Sequence, residues 1–266
     1  MYLLGLGWLL IGCVATCIST TAMAQSFAAL VSPPRFELET TAGKTVRAVV
    51  EITNADSRDA VYKLKTTDWY LDESAGVQFQ DTLQPDSCRP WVAIERREIT
   101  VAAGGKYRYR FEIKPPANLA PRECRFAIMI EGSESAVETQ GGVKIPVSGR
   151  IGLIVYLAVG AVAPQLEVAA SGVKNVNGVV LPTVSVKNFG SAHGRLSGFL
   201  EGTDDAGKKI ELQPSNLPIL PGETRVLALN IDREDKQAID IQFPVTIKGA
   251  FEWGDKSIPF EHRYTR

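Results

Sequence analysis

Along residues 142–159, GVKIPVSGRIGLIVYLAV, the apolar residues Val143, Ile145, Val147, Ile151, Leu153, Val155 and Leu157 all fall on odd positions. Gly149 is the gap in that row, and Lys144, Ser148 and Arg150 fall on even positions. A period of two sets one face of a β-strand against apolar surface and the other toward water. A helix would scatter the same residues around its circumference. The run far exceeds the length of an average strand, about five or six residues. A strand this long, apolar on one side, needs a partner along its whole length, and part of that partner is expected to be another protein.

The rest of the chain also reads as strands between turns. Residues 27–31 are apolar, Ser32-Pro33-Pro34 interrupts, and residues 35–39 resume with alternation. Proline inside a strand run implies an edge position or a kink. Alternating runs follow at residues 45–52, 60–69, 91–101 and 124–130. The clearest sets Tyr107, Tyr109, Phe111 and Ile113 against Lys106, Arg108, Arg110, Glu112 and Lys114. Short strands separated by turn signals mark a β-sandwich.

A domain boundary is expected at Ala163-Pro164, where the long strand ends. Shorter strands are expected beyond it, at residues 179–186, 194–200, 209–212, 225–231, 243–249 and 251–253. Asp205-Ala206-Gly207 and Gly254-Asp255 are turn sequences of hairpin type. The fold class is therefore all-β, with an N-terminal domain over residues 25–163 and a smaller β-sandwich over residues 164–266.

Residues 1–24 read as a cleaved signal peptide. Residues 3–18 are mostly apolar, and Ala22-Met23-Ala24 has the small-x-small form of a cleavage site. No Lys or Arg precedes the apolar run, which is compatible with a start codon further upstream. Lipidation at Cys13 and an uncleaved anchor are the alternatives. Export is the expectation, and it leaves Cys88 and Cys124 as one pair in an oxidising compartment. A disulfide or two buried thiols both fit, and the compartment favours the disulfide.

Composition narrows function further. The chain has 266 residues, 45% hydrophobic and 22% charged, with a net charge of −1. That balance implies neither a nucleic-acid partner nor an anionic membrane surface. The two histidines, His193 and His262, are far apart in sequence, and each reads most simply as a satisfied surface residue. No phosphate-binding glycine loop, metal-ligand spacing or nucleophile elbow is present. The chain is thus read as a non-enzyme, with no cofactor, metal or small-molecule substrate. Arg122 and Glu123 read as an ion pair at a strand start, and Trp69, Trp91 and Trp253 as core or rim residues.

Several motifs together resemble one family. Val31-Ser32-Pro33-Pro34-Arg35-Phe36 ends an early strand in a basic residue after prolines. Glu51-Ile52-Thr53-Asn54 precedes Ala60-Val61-Tyr62, and Pro121-Arg122-Glu123 opens a later strand. Ser148-Gly149-Arg150-Ile151-Gly152-Leu153 sets a basic residue before an apolar run, and Leu217-Pro218-Ile219-Leu220-Pro221-Gly222-Glu223 forms a late loop. In this order, over residues 25–266, they resemble the periplasmic pilus and fimbrial assembly chaperones of the chaperone–usher pathway, the PapD-like family.

The resemblance implies two immunoglobulin-like β-sandwich domains at an angle. It implies donor-strand complementation, in which the chaperone fills the groove of a pilus subunit that lacks its final strand. Val143, Ile145 and Val147 take the donor positions, and Arg35 and Arg150 take the cleft positions that hold the subunit's C-terminal carboxylate. The implied donor face is short, because Thr139 and Gly141 stand where the family continues its apolar row. Pro146 also removes a backbone donor. Expected partners are exported pilus- or fimbrial-type subunits and an outer-membrane usher. The alternative is a structural or adhesive PapD-like sandwich of the periplasm or cell surface.

Overall fold

The computed structural model describes residues 27–72, 76–132, 135–138, 144–147, 149–176, 178–231 and 241–266; for 135–138 and 144–147 the description is of the backbone. Residues 1–24, expected to be a signal peptide, and Val143, expected at a donor position, lie outside the described residues.

The first domain contains β1 (Ala29–Ser32), β2 (Arg35–Thr40), β3 (Val46–Asn54), β4 (Ala60–Leu71), β5 (Val77–Gln80), β6 (Val92–Ile94), β7 (Glu98–Val101), β8 (Lys106–Ile113), β9 (Arg122–Gly132), β10 (Ser135–Glu138), β11 (Lys144–Val147) and β12 (Arg150–Val159). One sheet runs β1-β3-β8-β6 and the other β2-β12-β9-β4-β5, with β7 also beside β4. Ser32-Pro33-Pro34 is where the chain changes sheets: β1 pairs antiparallel with β3, and β2 pairs parallel with β12. Both strands are sheet edges, where proline's missing N–H costs no ladder bond.

Alternation decides what fills the space between the sheets. In β8, Tyr109, Phe111 and Ile113 are buried while Lys106, Arg108 and Arg110 face water. Phe126, Ile128 and Ile130 of β9 and Leu153, Val155 and Leu157 of β12 meet them from the other sheet. Each such side chain contributes about 1.5–3 kcal/mol relative to exposure. Phe111 stands edge-on to Phe36 of β2 at 5.3 Å and to Phe126 at 6.3 Å, tying the layers together. Cys88 and Cys124 are bonded within this core.

The continuous strand expected over residues 142–159 is two strands. The odd positions of β12 pack into its own domain, so this half finds its partner within the chain. β11 belongs to a separate two-stranded hairpin with β10, with Ile145 opposite Val137 and Val147 opposite Ser135. Gly149 lies at the break. A Cβ there would fall 2.1 Å from the Phe27 side chain, so the ring occupies space that any other residue would need.

The second domain contains β13 (Leu166–Val176), β14 (Val179–Asn188), β15 (Leu200–Asp204), β16 (Lys209–Pro214), β17 (Thr224–Ile231), β18 (Val245–Trp253) and β19 (Lys256–Tyr264). Among the described residues they form one ladder in the order β13-β14-β17-β16-β15-β18-β19. The ladder curls over a single core that includes Val184, Leu212, Leu227, Ile247 and Phe251. The Tyr264 hydroxyl of the last strand, β19, donates to the Thr183 carbonyl of β14 at 3.2 Å, across the curl of the ladder. The strand expected at residues 194–200 is instead mostly irregular, held by isolated bridges at Gly194 and Ser197. Gly198 takes a positive φ of 118°, and a Cβ there would fall 2.2 Å from the Ala250 carbonyl, so the chain bends where a strand would run on.

The disulfide joins residues 36 positions apart, for which chain entropy suggests a stabilisation of about 3–4 kcal/mol. Cys88→Ser/Cys124→Ser is expected to lower unfolding free energy by about that amount in urea denaturation, with the two-domain β circular dichroism retained before the transition.

Candidate functional site

The outer face of the β2-β12-β9-β4-β5 sheet carries the candidate site. The alternation that turns Phe36 and Leu38 into the core turns Arg35 and Glu37 outward. The parallel register then sets Arg35 opposite Ile154, and Glu37 opposite Tyr156. From β9 the same parity brings up Glu123, Arg125 and Ala127. Trp69, Ala127 and Tyr156 form an apolar patch, with Leu71, Phe79 and Ile154 at its border and Leu220 of the second domain packed on it. Trp69 meets Tyr156 edge-on at 5.6 Å, and the Arg125 guanidinium lies 5.3 Å over the Trp69 ring.

The second domain contributes His193 and Arg195, from the segment after β14. That segment is fixed by Asn188, which is fully buried. Its amide donates to the carbonyls of Ala192 and Ile219 at 2.8 Å each, and its oxygen accepts from Gly190 and Gln165 N–H groups. Gly190 lies so close to Ala163 that a Cβ would stand 2.3 Å from the Ala163 carbonyl.

His193 thus reaches the first domain. Its backbone N–H donates to Glu123 Oε1 at 3.0 Å, and its Nδ1 lies 2.7 Å from Glu123 Oε2. Its ring stacks on Tyr156 at 3.7 Å between centroids, and Nε2 stands 3.8 Å from Glu37 Oε1. The side chains of His193 and Glu123 are only 9% and 6% exposed. The residue expected to be a surface histidine is therefore a buried link between the domains. The expected Arg122–Glu123 pair is also replaced: Glu123 binds His193, and Arg122 donates to the Pro85 carbonyl at 3.1 Å.

Glu37 is the centre of charge. Arg35 Nε donates to its Oε1 at 2.8 Å, and Arg195 Nε stands 4.0 Å from the same oxygen. Partial burial acts to raise the Glu37 carboxyl. The Arg35 hydrogen bond and the charges of His193, Arg35 and Arg195 outweigh it and hold the group below its ordinary 4.5. Burial pushes the Tyr156 hydroxyl up to about 12, against the charge of Arg195. Burial lowers Arg195 itself, whose Nη1 donates to the Asn216 carbonyl at 2.8 Å.

Arg150 sits elsewhere on this face. It is exposed, pairs in register with Glu131, and lies four residues along β12 from Ile154, the residue opposite Arg35. At about 3.3 Å per residue that is roughly 13 Å. Between them, a Cβ on Gly152 would fall 2.1 Å from the Phe79 ring, so that ring covers the intervening stretch. Arg35 and Arg150 share a face, and the structure does not set them side by side. Ile145 and Val147 lie on β11, in the hairpin. Among the described residues no group of three or more His, Cys, Asp or Glu is placed to hold a metal ion.

Glu37, Glu123, Tyr156, His193 and Arg195 were not legible as one site, because they come from distant segments. The signal available was the outward parity of Glu37 and Tyr156 on strands otherwise committed to the core.

No protein-family model and no curated protein matches this chain. Among solved structures it is similar to the class 5 fimbriae chaperone CfaA, at 13% identity and a TM-score of 0.48, covering 90% of this chain and 99% of that one. It is also similar to a chain of the CsuC–CsuE chaperone–tip adhesion subunit pre-assembly complex from archaic chaperone–usher Csu pili of Acinetobacter baumannii, at 15% identity and a TM-score of 0.46, covering 90% and 100%. A third is from the complex of Salmonella enterica SafA pilin with the SafB chaperone, at 12% identity and a TM-score of 0.47, covering 90% and 98%.

Removing the imidazole leaves the Glu123 carboxylate buried without its side-chain partner. His193→Ala is therefore expected to cost about 2–3 kcal/mol in urea unfolding, and Glu123→Gln less, because an amide is cheaper to bury. Glu37 has a depressed folded pKa, so its contribution is complete well above pH 4.5 and is lost as pH falls below that value. Urea midpoints at about pH 7 and about pH 4 are expected to differ less in Glu37→Gln than in the wild type.

Proposed function

We propose that the protein is a periplasmic chaperone that captures exported pilus- or fimbrial-type subunits by lending them a strand. The observation that carries this reading is the β10–β11 hairpin. Among the described residues β11 pairs with β10 alone, while β12, which follows at once, is bound on both sides by β2 and β9. A strand with an unpaired edge is a template for another chain's N–H and C=O groups. The hairpin is anchored through β12 to a full sandwich core, so it offers that edge on a rigid base.

In this reading Val143, Ile145 and Val147 enter the apolar groove of the subunit, and β11 main chain supplies the ladder bonds. Arg35 and Arg150 lie on the outer face of the sheet that β12 belongs to, in the frame the sequence resemblance assigns to residues that hold a subunit's C-terminal carboxylate. A guanidinium suits that task through paired N–H donors. An outer-membrane usher would then receive the loaded complex.

Co-purification from the periplasm tests the reading. Wild type and an Arg35→Ala/Arg150→Ala variant are compared, with bound proteins identified by mass spectrometry. A small β-rich exported subunit held by the wild type and reduced at least about tenfold in the variant is the expected result. A folded variant that retains the same partner, or a wild type that comes down alone, points instead to a structural or adhesive sandwich.

A further inference from the structure

We infer that Glu37 is a built-in stand-in for the client's terminal carboxylate, and that Arg195 of the second domain is a cation of that site beside Arg35. The inference rests on the proposed chaperone reading and changes the composition of its carboxylate site.

Three nitrogen-bearing side chains from two domains converge on one oxygen. Arg35 Nε is 2.8 Å from Glu37 Oε1, His193 Nε2 is 3.8 Å away and Arg195 Nε is 4.0 Å away. His193 is already committed to Glu123 through its other ring nitrogen, which leaves the two arginines facing a single carboxylate. Arg150 lies four register positions from Arg35's neighbour, with the Phe79 ring over the gap. Within this fold the carboxylate-binding geometry is assembled around Arg35 and Arg195, and Glu37 occupies it.

The occupant is replaceable. Glu37 and Arg35 are 48% and 44% exposed, so the Glu37 side chain can turn into water while Arg35 stays within reach of an incoming group. Arg195 is the fixed half, with its side chain 19% exposed and Nη1 tied to the Asn216 carbonyl. Its Nε is buried and makes no hydrogen bond. A buried donor in that state gains more from a new acceptor than a solvated one does. Glu37 holds its charge at neutral pH, so it competes as an anion. An intramolecular competitor acts at an effective concentration on the order of millimolar, enough to keep small free anions off the arginines. A client also held along β11 would still displace it. The exchange swaps one carboxylate for another and leaves the charge at the two arginines balanced.

The test uses fluorescence anisotropy with a labelled peptide of alternating valine and serine that ends in a free carboxylate, and with its C-terminal amide. Both are titrated into the full mature chain as wild type, Glu37→Gln, Arg195→Gln, Arg150→Gln and Arg35→Gln. The readout is the ratio of acid to amide affinity, which a general loss of folding does not mimic. The wild type is expected to favour the acid. Glu37→Gln should widen that preference by about tenfold through removal of the competitor, and Arg195→Gln should narrow it by about tenfold. If Glu37→Gln does not widen the ratio, or Arg150→Gln narrows it while Arg195→Gln does not, this inference is overturned and the chaperone reading stands. If wild type binds acid and amide equally, or binds neither, both are overturned.

Discussion

The two faces of β12 are the constraint on which the molecule depends. Its odd positions, Leu153, Val155 and Leu157, are fully buried in the first domain's core. Of its even positions, Tyr156 faces the second domain and carries the stacked His193 ring. A one-residue slip in register would expose the core row and bury the polar one. The parallel pairing with β2 prevents it by matching Phe36 to Val155 and Glu37 to Tyr156, so both strands sort their apolar and polar residues the same way. The positions of Arg35 and Glu37 at the domain junction follow from that register.

The junction itself is polar at its centre and apolar around it. Burying Glu123 and His193 together costs desolvation, and the two-point contact from backbone N–H and Nδ1 offsets it. Tyr156 provides a flat surface that fixes the imidazole plane, and Leu220 closes the apolar side beside Trp69. Geometry of this kind fixes how the second domain sits on the first more sharply than an apolar contact would. It also explains why Asn188 is buried: four hydrogen bonds from one side chain hold the segment that delivers His193 and Arg195. Asn54 serves a similar purpose after β3, donating to the carbonyls of Arg58, Val101 and Ala102.

Where β12 begins, the demands on the chain change. Phe27 lies against Gly149 and Gly132, and the Gly132 N–H donates to the Gly149 carbonyl at 3.0 Å. Before that point, among the described residues, the backbone of β11 pairs with β10 alone; after it, the chain is locked between β2 and β9. The same apolar alternation therefore serves two purposes on either side of one glycine. The β12 half fills the domain's own core, and the β11 half carries the row that the proposed function assigns to a client.

The sequence by itself determined the all-β class, the strands with strong alternation such as Lys106–Ile113, and the inward and outward parity of residues 150–159. These are local properties, because a period of two is written into consecutive residues. It also singled out Cys88 and Cys124 as the pair lying beyond the apolar N-terminal run, and the structure bonds them. Only the tertiary structure decided that the organising run breaks at Gly149, where Phe27, more than a hundred residues away, fills the space a Cβ would need. The bend at Gly198 likewise depends on the approach of Ala250. The cluster of Arg35, Glu37, Glu123, Tyr156, His193 and Arg195 was beyond sequence reasoning for the same reason. Each residue is ordinary in its own segment, and its chemistry arises from neighbours that parallel pairing and domain docking bring within hydrogen-bonding or ionic reach.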